Sequence, residues 1–494
     1  MAKFSLNPSV RDRAFKRVFR PQAIDISRLD AFLTTSLLML ALSIYAIWIF
    51  AGYGNIRFTE FISFSVNDGW CTVPNESIFA HCFGDYAVLS GWVGTDKLLW
   101  IAGNSESSPY PASGWLPVYF FHKVGLHFND FTLGRNLYLF TLLSSLVTPA
   151  ILIARKKNIF YKSAILVLLG LTAAPTLITL DRGNTIGLAI APLSLAMYSL
   201  VNCHYRKFIF YIIVAALIKP QLALFFLLLL AVRRYRYFLI TSIFFVFLSV
   251  MSFLPYPGSM NSNLKNWALT IISYTEYQKL SQIFPYNLSL DRSFLTILQA
   301  ARYNISVDQL TIISTVAKAT ALIMFIIILI ITIKKDSKYQ IFNLSFLMII
   351  FVSTFPGVTY GYYASLLLIP TFMILLDQHG VSDHVLDSKR NSFEISFRRK
   401  YISIWSIRLT LFFISILMAP IYLPLRYFPG MEKSLGLHDS NLNIFQIFWG
   451  PILIAIFFLT IGRIIVGGNI ESTIQKDYTL ANAEVLVNEA TEKG

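Results

Sequence analysis

Apolar positions in this chain gather into blocks of about twenty residues separated by shorter polar stretches. Ala31 to Ala51 and Leu310 to Ile333 are the clearest blocks, and that length carries an α-helix across a bilayer. The pattern predicts membrane segments near 31–51, 133–154, 161–180, 183–202, 208–232, 237–255, 310–333, 339–355, 361–376, 403–424 and 445–467. The expected fold is therefore an all-α polytopic membrane protein. It has about 11–12 membrane segments, counting one broken hairpin, and a large first extracytoplasmic loop.

Composition agrees with the pattern. Apolar residues make up 55% of the 494 and charged residues only 14%, where a soluble domain carries about 25% charged. The mean hydropathy is +0.61, too apolar for a water-facing surface.

Charge sets the orientation. The excess of +15 would fit a nucleic-acid binder or basic cytoplasmic loops, and position along the chain separates the two. The arm 1–30 carries Lys3, Arg11, Arg13, Lys16, Arg17, Arg20 and Arg28 against three acids. Residues 52–132 reverse this, with Glu60, Asp68, Glu76, Asp85, Asp96, Glu106 and Asp130 against Arg57, Lys97 and Lys123. The arm is thus expected inside and 52–132 outside, with further basic loops at Arg155 to Lys162, Arg206 and Lys207, Lys334 to Lys338 and Lys389 to Lys400 inside. No nucleic-acid partner is implied. The expected organisation is a cytoplasmic arm 1–30, a membrane core 31–376, a cytoplasmic loop 377–402, C-terminal membrane helices 403–467 and a cytoplasmic tail 468–494. Both termini lie inside, and a bacterial inner (plasma) membrane is the expected location.

One segment breaks the alternation. Residues 208–232 lie between Arg206-Lys207 and Arg233-Arg234-Tyr235-Arg236, both expected inside, and their centre reads Ile218-Lys219-Pro220-Gln221. Proline lacks a backbone donor and disfavours helix at the preceding residue. The segment is therefore expected to be a broken hairpin with Lys219 and Gln221 near its tip, lining a cavity. Two outside stretches, 52–132 and 256–309, are too long for plain turns. Tyr86 to Leu99 and Trp115 to Val124 read as helices lying at the interface. Cys71 and Cys82 share the first loop, where a disulfide and two free thiols are both open. No phosphate-binding glycine loop or zinc-type Cys/His spacing occurs, so no cofactor and no metal are expected.

An enzyme whose large loops lie outside is cut off from cytoplasmic nucleotide-activated substrates. A transferase there would draw on a lipid-linked donor such as a polyprenyl phosphate sugar. It needs a carboxylate to take the acceptor proton, cationic or amide groups for the departing phosphate and a groove for the lipid. Four stretches bear on this. Asp85-Tyr86 is followed by Ser108-Pro109-Tyr110-Pro111 and Trp115-Leu116; Arg182-Gly183-Asn184 opens the fourth span; Lys219-Pro220-Gln221 precedes Leu-rich sequence and Arg233 to Arg236; Asn287-Leu288-Ser289-Leu290 lies in the second long loop, with Phe355-Pro356 to Pro370 beyond.

In order and spacing, over roughly residues 30–376, these resemble the membrane glycosyltransferase family 87. That family belongs to the GT-C superfamily and includes polyprenyl-phosphate-mannose-dependent mannosyltransferases. The resemblance implies a GT-C-like core that transfers a hexose, such as mannose, with inversion. The donor is a lipid-linked sugar, and the acceptor a lipid, glycan or protein hydroxyl on the extracytoplasmic face. It casts Asp85 as catalytic base and Tyr86, Tyr110, Asp181, Arg182, Asn184, Lys219, Gln221, Asn287 and Tyr362 as substrate-binding residues. The chain departs from the family twice. Asn184 stands where Gln is usual, and the stretch Phe355 to Tyr363 lacks the family's His, leaving Tyr362 or Tyr363 to substitute.

Each residue also has a plainer reading. Asp85 is one of seven acids in its loop and suits a helix N-cap before Ala87. Asp181 and Arg182 suit a pair closing a tight turn, Lys219 a snorkelling cation, and Lys318 a partner for a neighbouring helix. Tyr110, Trp115, Tyr360, Tyr362 and Tyr363 suit an interfacial belt, and His81, His122 and His127 a solvated or interfacial position. Two other functions fit the same location. A transporter or flippase of lipid-linked saccharides would show broken helices in both halves, whereas only Lys219-Pro220 reads as a break. An O-antigen-type polymerase would carry its largest outside loop later.

Overall fold

The computed structural model describes residues 28–54, 83–86, 100, 110–157, 166–168, 170–202, 204–280, 289, 307–335, 338–355, 359, 361–376, 409–417, 449 and 452–462. These residues are mostly helical, and no strand occurs among them. In chain order the helices are α1 (Arg28–Gly54), α2 (Ala112–His127), α3 (Phe131–Lys157), α4 (Ala174–Arg182), α5 (Ile186–Val201), α6 (Tyr205–Ile218) and, after a 3-10 turn over Pro220–Phe226, α7 (Leu227–Ala231). Then follow α8 (Tyr235–Met251), α9 (Met260–Leu280), α10 (Val307–Lys335), α11 (Lys338–Thr354), a second 3-10 segment over Gly361–Leu367, and α12 (Leu368–Leu376). Residues 409–417 and 452–462 are also helical.

The broken hairpin forms at its proline. Pro220 has no N–H to offer the Ala216 carbonyl, so α6 stops at Ile218. Lys219 turns extended at φ −136, ψ 102, the conformation a following proline enforces. From Tyr205 to Ile218 is about 21 Å at 1.5 Å per residue. The return through the 3-10 turn and α7 covers about the same distance. The chain therefore comes back to the level it left. The Tyr205 and Tyr237 rings stack at 6.2 Å, and the Arg234 guanidinium lies 4.9 Å from the Tyr205 ring. The start of α6 and the start of α8 thus share one end of the bundle, with Lys219 at the opposite tip.

Against the sequence expectation, the 161–180 segment is not one helix. Residues 166–168 and 170–172 are helical, the helix breaks at Ala173 (φ −60, ψ 132), and α4 starts at Ala174 with Pro175 in its first turn. α9 occupies part of the loop expected over 256–309. A second 3-10 break, Gly361–Leu367, lies in the later half, where none was anticipated.

The bundle is polar in unusual places. Hydroxyls of Ser145, Thr179, Ser194, Thr332, Thr354 and Ser415 are buried and bonded to backbone carbonyls. Leu, Ile and Phe face outward instead. In α8 the buried residue is Thr241, while Leu239, Ile240, Ile243, Phe244 and Phe247 are exposed. Exposed Leu37, Leu38, Leu42 and Trp48 on α1, and Ile323, Ile326, Ile327 and Ile330 on α10, repeat the arrangement. Among the described residues one stretch, Phe131–Ile153 within α3, is both long and apolar enough to cross a membrane. Apolar stretches of 10–17 residues run through α1, α5, α8, α10, α11 and 452–462.

Candidate functional site

Four separated pieces of chain meet at one place. The first is the turn between α4 and α5. Gly183 caps α4 in the left-handed conformation, φ 62, which glycine adopts without the penalty a Cβ imposes. A Cβ there would also stand 3.2 Å from that of Tyr86, so the turn and residues 83–86 are in close contact. The Tyr86 ring packs on Tyr138 of α3 at 4.7 Å. The Tyr138 hydroxyl in turn donates to the Gly183 carbonyl at 2.6 Å. This triangle fixes Asp85 against the turn.

Arg182 grips Asp85. Its Nε and Nη2 both donate to Oδ1, at 3.1 and 2.5 Å. Asn184 Nδ2 donates to the other oxygen, Oδ2. The amide is itself oriented, because its Oδ1 accepts the Ile186 backbone N–H at 3.0 Å at the start of α5. With that N–H holding the carbonyl end, only the NH2 end can face the carboxylate. Asp85 therefore has a fixed rotamer and one oxygen with capacity to spare. Burial pushes its carboxyl up from 3.8 to about 6, opposed by the Asn184 bond and the Lys219 charge. At neutral pH it is ionised, with a proton affinity closer to pH 7 than that of an ordinary aspartate.

The hairpin tip supplies the third piece. Lys219 is 1% exposed, and its Nζ meets no hydrogen-bond partner among the described residues. Two aromatic rings face it, Tyr110 at 3.7 Å and Tyr363 at 5.7 Å. The tip reaches this position because Gly114 in the first turn of α2 lies against it. A Cβ at Gly114 would stand 3.1 Å from the Ile218 carbonyl oxygen. Tyr110 is held from behind: Trp100 Nε1 donates to its carbonyl at 3.1 Å, and the Trp115 ring meets its own ring edge-on at 4.8 Å.

The second 3-10 segment is the fourth piece. It brings the Tyr363 hydroxyl to Gln221 Nε2 at 3.4 Å and stacks Tyr362 on Tyr363 at 5.2 Å. Tyr363, rather than Tyr362, turns its ring toward Lys219. The Tyr362 carbonyl takes the Ser365 and Thr179 hydroxyls at 2.7 and 3.4 Å, which ties the segment to α4.

Asp85, Tyr86, Tyr110, Arg182, Asn184, Lys219, Gln221 and Tyr362, named from sequence, thus share one neighbourhood with Asp181, which is buried in the last turn of α4. Asn287, Tyr360, Cys71 and Cys82 lie outside the described residues. Lys318 lies on α10. Sequence reasoning missed Tyr138, the residue that locks Tyr86 to Gly183. It is one of three aromatic residues in its helix, with Phe131 and Phe140, and no local signal marks it. Among the described residues no cluster of metal-binding side chains occurs. No family model, no curated protein and no solved structure matches this chain.

Proposed function

We propose that the chain is an integral-membrane glycosyltransferase of GT-C type, related to glycosyltransferase family 87. In this reading it transfers a hexose from a polyprenyl phosphate to a lipid, glycan or protein hydroxyl on the extracytoplasmic face, with inversion. One observation carries the reading: a fixed, partly buried carboxylate with a free oxygen lone pair lies beside a buried ammonium that no carboxylate pairs with among the described residues. A displacement that needs a base and releases a phosphate needs that combination. The outward apolar faces of α1, α8 and α10 support the membrane part, since water would not tolerate them. Polytopic topology and multi-pass insertion are part of the proposal.

In the reaction, the acceptor oxygen bonds to the anomeric carbon as the bond from that carbon to the phosphate oxygen breaks. The acceptor proton passes to Asp85 Oδ2, and the polyprenyl phosphate leaves with the electron pair. Arg182 and Asn184 hold the base. Lys219, on a rigid tip between two rings, meets the charge that grows on the leaving phosphate. Tyr110 and Tyr363 offer faces for sugar or lipid.

The test is transfer of labelled hexose from its polyprenyl phosphate by the full chain in nanodiscs. Asp85→Asn should leave the protein folded and lower transfer by about 10² to 10⁴-fold, the usual contribution of a general base. Transfer at the wild-type rate would remove Asp85 from the mechanism. A second reading, a flippase of lipid-linked saccharides, draws on the 3-10 segment Gly361–Leu367, a departure from α-helix in the later half besides that at Pro220–Phe226 in the first. Flux of a lipid-linked saccharide across proteoliposomes without sugar chemistry would favour it.

A further inference from the structure

The hairpin that carries Lys219 at its tip gathers other cations at its base. Arg206 and Lys207 stand in the first turn of α6, and Arg234 and Arg236 at the start of α8. All four are exposed. The Tyr205–Tyr237 stack joins the two helix starts, and the Tyr205 ring, 4.9 Å from the Arg234 guanidinium, gives that cation a fixed seat. Arg233 closes the turn between α7 and α8 in the left-handed conformation, φ 56, where glycine is the unstrained choice. Its Nε and Nη2 both donate to the Ile333 carbonyl at 3.4 Å. The last turn of α10, with Lys334 and Lys335 in it, therefore ends at the same level.

Little in the chain balances this charge. From Arg182 to Thr275 the sequence has no Asp or Glu, and one acid, Asp336, follows α10. Neither α6 nor α8 has an acid in its first turn, where cations are unfavourable. Orientation in a membrane asks only for a count of basic residues in a loop. It does not ask that two helix starts and a helix end be drawn together.

An apolar stripe begins at the same place. Leu239, Ile240, Ile243, Phe244 and Phe247 follow Arg236 at i+3, i+4, i+7, i+8 and i+11, so they share its face of α8. Each is more than half exposed. A phospholipid has the same order of groups, a charged phosphate at the water level and hydrocarbon running away from it.

We infer that the base of the hairpin binds an anionic phospholipid, with its phosphodiester at Arg234 and Arg236 and its chains along the Leu239–Phe247 stripe. Guanidinium forks match phosphate oxygens in pairs, and basic clusters on the cytoplasmic side draw net-negative lipids. A soluble anion would use the cations and leave the stripe bare. The inference rests on the membrane part of the reading above, not on sugar transfer.

The test uses the full chain in phosphatidylcholine nanodiscs. The probe is phosphatidylglycerol with a diazirine in its acyl chain, compared with the matching phosphatidylcholine, and the label is mapped by peptide mass spectrometry. The wild type should carry the phosphatidylglycerol label on residues 239–247 in clear excess over the phosphatidylcholine label. Arg234→Gln with Arg236→Gln should lower that excess about tenfold or more, the value of one charge-assisted hydrogen bond. Arg234→Lys with Arg236→Lys keeps the charge but loses the forks, and should fall between. Lys123→Gln with Lys265→Gln removes the same charge from exposed positions elsewhere and should leave the excess unchanged.

Equal labelling of the stripe by both probes in the wild type, a result that needs no variant to fold, overturns the site. An equal loss in the two Gln pairs does so too, since it reports net charge alone. Removal of the label by a short single-stranded RNA would assign the cluster to nucleic acid and overturn the lipid. No sugar substrate enters the experiment, so its outcome stands apart from that of the transfer assay. A chain labelled by neither probe would refute the membrane reading along with the site.

Discussion

Replacing Asn184 with alanine should move the pH profile of transfer rather than simply lower the rate. The Asn184 amide donates to Asp85 Oδ2 and is held for that purpose by the Ile186 N–H. The carboxylate is only 18% exposed, so water replaces the lost donor poorly. A hydrogen bond to a charged group is worth roughly 1.5–3 kcal/mol, and one pKa unit corresponds to about 1.36 kcal/mol. Removing the bond disfavours the ionised form and should raise the carboxyl by about one to two units. The starting point is about 6, so the variant should titrate at about pH 7 to 8.

The sign follows from the role. A general base works ionised, so the rate falls as pH drops through its pKa. With the carboxyl raised to about 6, the acid limb of the wild type should fall in that region and should move up with the carboxyl in the variant. At pH 7 the variant should lose roughly two- to tenfold, and by about pH 9 it should regain most of the plateau. Asn184→Asp, which sets a second carboxylate against the first, should move the limb further in the same direction. The assay is initial rate of hexose transfer in nanodiscs at saturating donor, from about pH 5 to about pH 9. A uniform loss at every pH, with the limb unmoved, would refute the argument. Asn184 would then be touching substrate, or Asp85 would not be the base.

Two further outcomes test the scaffold. Lys219→Met removes a buried cation that lacks an ion-pair partner among the described residues. It should leave thermal stability equal or higher, since an unpaired buried charge is a cost to folding, while transfer falls by about 10²-fold or more; a matching loss of both would make Lys219 structural. Gly183→Ala forces a Cβ into the left-handed turn, 3.2 Å from Tyr86. It should cost about 1–2 kcal/mol, read as a lower unfolding midpoint, and weaken transfer by displacing Asp85.

The elements were legible in the sequence where their cause is local. The block at 310–333 became α10 (Val307–Lys335) and the block at 133–154 became α3 (Phe131–Lys157), because hydrophobic length is a property of the segment itself. The break at Lys219 was legible because proline acts on its own backbone and on that of the residue before it. Pro175, whose missing N–H is tolerated in the first turn of a helix, marked the start of α4 within the 161–180 segment and went unread beneath its high hydropathy. α9 was hidden for the opposite reason, since Asn261, Asn263, Lys265 and Asn266 dilute its apolar residues below what a hydropathy scan registers. The site was legible only as a set of residue types. That Arg182 and Asn184 close on a carboxylate some hundred positions earlier, or that Tyr138 locks the loop to the turn, depends on how helices cross. No spacing along the chain encodes it.

The charges at this site are unequally cared for, and the inequality carries information. Asp85 receives two guanidinium N–H groups and an oriented amide, three of the roughly four hydrogen bonds a carboxylate can accept. Lys219, buried more deeply, receives two ring faces and no oxyanion among the described residues. Ring faces offset part of the cost of a desolvated ammonium, about 2 kcal/mol at best, whereas the cost of burying it is several kcal/mol. A fold under selection for stability alone would replace Lys219 with Met or Leu at no loss of volume. The asymmetry is resolved if the missing partner is brought by a ligand. The anion then arrives desolvated, meets a cation already stripped of water, and shares the pocket with a carboxylate that Arg182 has neutralised and so does not repel it. Arg182 in this view serves the leaving phosphate indirectly, by cancelling the charge of the base that must stand near it.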